Sequence, residues 1–124
     1  MKILIGMLIL ANSVVLNAKA ITAVEWAPFI IANGITEQQL IIAADRVNHK
    51  FLIKQSGFIK RELIKKSDVE YADVIHWNTK KEAAAAAEKT FNCSECSEYF
   101  KLMDMEASIN AGKGFSHYEV LRRW

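Results

Sequence analysis

From Thr22 to Ile31 the chain reads Thr-Ala-Val-Glu-Trp-Ala-Pro-Phe-Ile-Ile, a run of β-branched and aromatic residues that predicts a strand. Pro28 has no N–H to give to a ladder, so that position belongs at an edge, a bulge or the strand end. Asn33-Gly34 is a turn signal, and Thr36-x-x-Gln39 is a capping box that opens a helix. Leu40, Ala44, Val47 and Phe51 then recur at helical spacing, which predicts a helix from Glu37 to about Lys54, ending before Gly57. Gly57–Lys66 reads as a second strand and Tyr71–Asn78 as a third, with Ser67-Asp68 as the hairpin turn between them. Thr79-x-x-Glu82 opens a second helix, carried by the alanines Ala83 to Ala87. Asn92-Cys93-Ser94-Glu95 resembles a further cap, which predicts a short helix through Tyr99, Phe100 and Leu102 starting after Asn92. Gly112 and Gly114 punctuate, and Phe115–Trp124 reads as the last strand. The order β-α-β-β-α-β predicts an α+β, ferredoxin-like sheet with helices on one face.

The alternation within these strands carries a second inference. On Tyr71–Asn78 one face holds Tyr71, Asp73, Ile75 and Trp77 and the other Ala72, Val74, His76 and Asn78. In the first strand Val24, Trp26 and Ile30 oppose Ala23, Ala27 and Phe29. Neither face is consistently hydrophilic, yet one layer of helices can cover only one of them. A second copy of the chain is the simplest cover for the other, so a homodimer is expected.

Ahead of this domain, Met1-Lys2, an apolar run from Ile3 to Ala11, and Ala18-Lys19-Ala20 have the three parts of a secretory signal peptide. Residues 1–20 are read as that signal and residues 21–124 as one domain, periplasmic or secreted. The run falls short of the roughly 20 apolar residues that span a bilayer, so no stable membrane insertion is expected after cleavage. Loss of Lys2 and Lys19 would leave basic and acidic residues in balance, from a starting count of 16 Lys+Arg against 14 Asp+Glu. A neutral chain with no basic stripe excludes nucleic acid as a partner.

Gly57-Phe58 at the start of strand two, Asp73-x-x-x-Trp77-x-Thr79, and Glu82-Ala83-x-x-Ala86 together resemble the dimeric α+β barrel superfamily, and within it the antibiotic-biosynthesis-monooxygenase-like domains. The likeness spans Thr22 to Trp124. It implies a dimer whose two sheets enclose a barrel, with a cavity between sheet and helices in each protomer. It implies a small, apolar or aromatic ligand and a cofactor-independent oxygenase reaction, with no cofactor; a non-catalytic binding or dimerisation module is the alternative. The haem-degrading branch uses an Asn on strand one and a Trp and a His in helix two. This chain departs from that pattern, with Glu25 and Trp26 on strand one, alanines in helix two and no His between His76 and His117.

Within that frame, His76 is the candidate base, since an imidazole titrates near neutral pH, and its other reading is a hydrogen-bonded histidine at the strand end. Asp73 needs a partner if buried; Arg61 on the preceding strand can pair with it and the two can orient a substrate oxygen, with Glu62 as a substitute. Trp77, Trp26 and Phe29 are candidate apolar walls, or packing anchors. His117 shares a face with Glu119 and is a second candidate for the site. Cys93-x-x-Cys96 is either a structural disulfide at a helix start, two quiet thiols, or the redox pair of a thiol enzyme. No metal site is expected from three dispersed histidines.

Overall fold

The computed structural model describes residues 20–124; the predicted signal, apart from its last residue, lies outside the described residues. Strands β1 (Ala23–Ile30), β2 (Phe58–Lys65), β3 (Glu70–Trp77) and β4 (Ser116–Glu119) form one antiparallel sheet in the order β2-β3-β1-β4. Helices α1 (Glu37–Lys50), α2 (Lys80–Lys89), α3 (Ser94–Phe100) and α4 (Met105–Asn110) complete the domain. This is the ferredoxin-like order predicted from the sequence. The core gathers Phe29, Tyr71, Ile75 and Trp77 from the sheet with Leu40, Ala44 and Val47 of α1, Ala83 and Ala86 of α2, and Tyr99 of α3. Pro28 pairs with Ala72 on one side, while β4 reaches β1 only as far as Trp26, so among the described residues the proline stands where its strand has no second neighbour. Among the described residues no helix is long and apolar enough to cross a membrane.

Helix α1 starts where its capping box requires. Thr36 Oγ1 accepts from Gln39 N at 3.1 Å, and Gln39 Oε1 accepts from Thr36 N at 2.8 Å. The helix ends at Lys50 rather than at Lys54; residues Leu52–Lys54 form a 3-10 turn. Phe51 and Leu52 are both buried, and a continuing α-helix would turn adjacent side chains about 100° apart. Breaking the helix at Phe51 lets both face the core.

The start of α2 is locked to the start of β2. Thr79 Oγ1 caps Glu82 N at 3.1 Å, and the Glu82 carboxylate accepts from Ser56 Oγ at 2.7 Å and from Asn78 Nδ2 at 3.3 Å. Glu82 lies so close to Gly57 that a Cβ added there would sit 2.5 Å from its carboxyl carbon, and Gly57 has φ +82°. Left-handed backbone and contact both demand glycine. Gly57→Ala is expected to cost about 2–3 kcal/mol, read as a lower urea midpoint with unchanged slope. A midpoint within error of the parent would show that this turn can rearrange freely.

Two sequence expectations need correction. The cap of α3 is Cys93, not Asn92: the Cys93 sulfur accepts from Cys96 N at 3.0 Å. The final strand covers Ser116–Glu119 and not Phe115–Trp124. Among the described residues β4 pairs only with β1, whose first paired residue is Ala23, and a strand continuing past Val120 finds no partner there. Leu121 and Trp124 are consequently exposed. Helix α4 was not predicted. The segment between α2 and β4 folds back on the end of β1 through Ala32 N to Leu102 O at 2.9 Å, Asp104 N to Ile30 O at 2.8 Å and Ile30 N to Ser108 Oγ at 2.9 Å.

Candidate functional site

This folded-back segment roofs a cavity of about 370 Å³ between the sheet and α2, α3 and α4. Its walls are largely apolar, among them Phe29, Ile75, Trp77, Phe91, Phe100 and Phe115. Polar groups enter from the sheet floor, where Glu25, Arg61 and Asp73 join Tyr99 of α3. A concave apolar pocket of this size with a few convergent polar groups is the usual form of a small-molecule site. A second hollow, of about 420 Å³, lies between α1 and β2, but its lining mixes Glu37, Asp45, Asn48 and Lys65 with its apolar residues. It lacks a continuous apolar surface, so the cavity beneath α2–α4 is the stronger candidate.

Arg61 and Asp73 sit on neighbouring strands. Arg61 lies opposite Ile75 and Asp73 opposite Leu63, so the two meet diagonally, two residues apart in register. Arg61 Nε donates to Asp73 Oδ1 at 2.8 Å and Arg61 Nη1 to Ala44 O at 2.7 Å. Tyr99 donates its hydroxyl to Asp73 Oδ2 at 2.7 Å, and the guanidinium lies 5.4 Å from the Tyr99 ring centroid. Both oxygens of Asp73 are therefore occupied. The ion pair is almost sealed from water, with side-chain exposures of 7% and 8%. Burial disfavours the Arg61 charge, but the charge and hydrogen bond of Asp73 outweigh it and hold the guanidinium above its ordinary pKa. Burial first, then the Asp73 charge, push the Tyr99 phenol far above its usual range.

This shift makes a pH prediction. Above pH about 10 the unfolded chain releases a phenolic proton that native Tyr99 keeps, so the unfolded state binds fewer protons and stability falls as pH rises. Burial, then the bond to Glu37, also raises Tyr71, which acts in the same direction. In an ultraviolet titration the Tyr99 step should appear only with alkaline unfolding, and Tyr99→Phe should remove it. Reversible ionisation of Tyr99 in the folded protein would contradict this.

Glu25 and His117 form the second polar group. They lie directly opposite on β1 and β4, and His117 Nε2 and Glu25 Oε1 are 2.9 Å apart, each side chain 13% exposed. Burial raises the Glu25 pKa; the hydrogen bond and charge of His117 oppose this, and Asp73 adds to it. Trp77, diagonal to Glu25 across Ala23, is buried, and its indole N–H makes no hydrogen bond of ordinary geometry. That N–H still lies near enough to the Glu25 carboxylate to oppose the upward shift.

The structure sorts the candidates to two faces. Arg61, Asp73, Phe29 and Trp77 all line the cavity. His117 stands beside it, paired with Glu25 and not with Glu119, which is exposed opposite Ala23. His76 and Trp26 lie on the other face of the sheet, so the expected grouping of His76 with Asp73 and Arg61 does not form within a protomer. Successive strand residues point to opposite faces, and His76 Nε2 instead meets Glu62 Oε1 at 3.2 Å. Cys93 and Cys96 are joined as a disulfide, and Cys96 lines the cavity while almost wholly buried. Sequence reading missed Glu25 and Tyr99 as site residues. The signal for Glu25 was present: a lone carboxylate inside an otherwise apolar strand. Nothing local marked Tyr99.

No family of known sequences and no curated protein matches the chain by sequence. Solved structures do match it. SnoaB, a cofactor-independent oxygenase from Streptomyces nogalater, aligns with a TM-score of 0.60 at 14% identity, covering 85% of this chain and 96% of that one. A monooxygenase from the gene ActVA-Orf6 of Streptomyces coelicolor, solved with the ligand nanaomycin D, aligns at 0.53 and 11% identity, over 84% and 89%. A dimeric ferredoxin-like protein from an uncultured marine organism aligns at 0.53 and 8% identity, over 85% and 92%. This chain has their ferredoxin-like fold. Identities this low carry the fold alone, and the chemistry has to be argued from the cavity residues.

Proposed function

We propose that this protein is exported and acts as a homodimer, each protomer holding a small, largely apolar molecule in the cavity under α2–α4, with a cofactor-independent oxygenase reaction on an aromatic ring as its activity. The observation that carries the ligand reading is the cavity itself, about 370 Å³ and walled by aromatic and aliphatic side chains. A flat ring system of two or three rings suits such walls, because aromatic faces and edges pack against one another. The oxygenase part draws on the likeness to SnoaB and the ActVA-Orf6 monooxygenase. Export draws on the pattern of the first twenty residues.

Support for the dimer comes from the uncovered face of the sheet. Val24, Trp26, Pro28 and Ile30 of β1, Ile64 of β2, Ala72 and Val74 of β3 and Tyr118 of β4 share that face, with Trp26, Ile64 and Tyr118 exposed. Among the described residues no helix is placed to cover it, and one of the matching structures is a dimeric ferredoxin-like protein. His76 and Glu62 lie on this face and would meet the partner sheet in such a dimer.

Trp77 forms part of the cavity wall, so its fluorescence reports occupancy. Titration with naphthalene should quench it saturably, with one molecule per protomer. Quenching that is linear in concentration would remove the ligand reading. Oxygen uptake with an anthrone then separates turnover from binding alone: steady consumption without added cofactor supports the oxygenase, and binding with no consumption leaves a non-catalytic module.

A further inference from the structure

Glu25 is an unusual feature of an apolar cavity. It stands mid-sheet, opposite Ile75 on one side and His117 on the other, and it lines the cavity. His117 occupies Oε1, while among the described residues no group makes a hydrogen bond of ordinary geometry to Oε2. An ionised carboxylate is an acceptor with about four lone-pair positions, so His117, even with the Trp77 indole N–H nearby, leaves room for a further donor. Asp73, the other carboxylate on the floor, has both oxygens taken by Arg61 and Tyr99. The floor carboxylate with an oxygen open to the cavity is therefore Glu25, with the Trp77 indole N–H nearby but not in hydrogen-bond geometry.

We propose that Glu25, held in place by His117, is the specificity-determining residue of the cavity, accepting a hydrogen bond from a hydroxyl carried on the ligand ring. This rests on the cavity being a ligand site. The roles differ: Glu25 touches the ligand, and His117 is a positioning residue that fixes the carboxylate. The burial that raises the Glu25 pKa also strengthens a hydrogen bond made to it, because little water competes. A ligand whose oxygen is methylated presents no donor and leaves the carboxylate unsatisfied in a site now emptied of water. Discrimination between the two follows from that difference.

The test is calorimetric titration of the full chain with 2-naphthol and with 2-methoxynaphthalene. The parent should bind 2-naphthol roughly tenfold to a hundredfold more tightly, the range expected for one hydrogen bond to a charged acceptor. Glu25→Met should bring the two affinities within about threefold by weakening 2-naphthol alone. His117→Leu should erode the preference, and His117→Gln, which keeps an N–H donor, should restore it; a merely structural histidine would weaken both ligands together. Equal affinities in the parent overturn the inference and leave the cavity reading standing, and this comparison decides even if Glu25→Met fails to fold. Binding of neither compound overturns the cavity reading and the inference with it. Preference retained in a folded Glu25→Met variant overturns the inference alone.

Discussion

Asp73→Ala is expected to destabilise the folded protein by about 3–5 kcal/mol, the cost of removing one partner from a buried ion pair. The loss is large because two buried groups depend on that carboxylate. Arg61 would remain charged and almost sealed from water with Ala44 O as its hydrogen-bond acceptor and the Tyr99 ring beside it, and the buried Tyr99 hydroxyl would lose its acceptor. The melting temperature should fall by about 4–8 °C for each kcal/mol, so thermal unfolding measures it directly. An apolar replacement of both partners, Arg61→Met with Asp73→Leu, should recover most of the loss, since neither charge is then stranded. If Asp73→Ala melts within a few degrees of the parent, water reaches this floor more freely than the structure shows. The comparison also bears on function. If the double replacement restores stability, the role of the pair is to be sought in the cavity rather than in folding.

Trp26→Glu is expected to convert a dimer to monomers, raising the dissociation constant by at least about a hundredfold, near 3 kcal/mol. Trp26 is 39% exposed on the uncovered face, opposite Val74 on β3 and Ser116 on β4, and so stands near the middle of the proposed interface. A buried glutamate there would have to be desolvated against the partner's apolar side chains. Because the side chain points away from the helices, the protomer should keep its circular dichroism. Light scattering on parent and variant decides: a parent that is monomeric at micromolar concentration removes the homodimer, whatever the variant does.

Much of the architecture was legible because it is written in short range. Thr36 with Gln39 and Thr79 with Glu82 mark helix starts through contacts three residues apart, and alternation along Tyr71–Trp77 sorts faces by geometry alone. The helix end at Lys50 and the last strand at Glu119 were less legible. Each is set by what lies across the fold: room for Phe51 and Leu52 to turn inward, and a partner strand that begins at Ala23.

The site divides in the same way. Asp73 with Arg61 could be anticipated, since a carboxylate among apolar neighbours needs a counter-charge and the next strand offers one. Glu25 with His117 spans 92 positions, and Tyr99 reaches Asp73 from a helix 26 positions on. No local pattern encodes such distances.

Chain order, caps and alternation are local chemistry, so the residues alone determined a ferredoxin-like sheet and an apolar face that its own helices leave bare. Which side chains share a floor, which carboxylate is satisfied and which is left open, and where the roof folds back were decided by tertiary packing. The physical reason is that a strand's alternation states only that two side chains face the same way. Register and the return of a distant segment decide whether they touch.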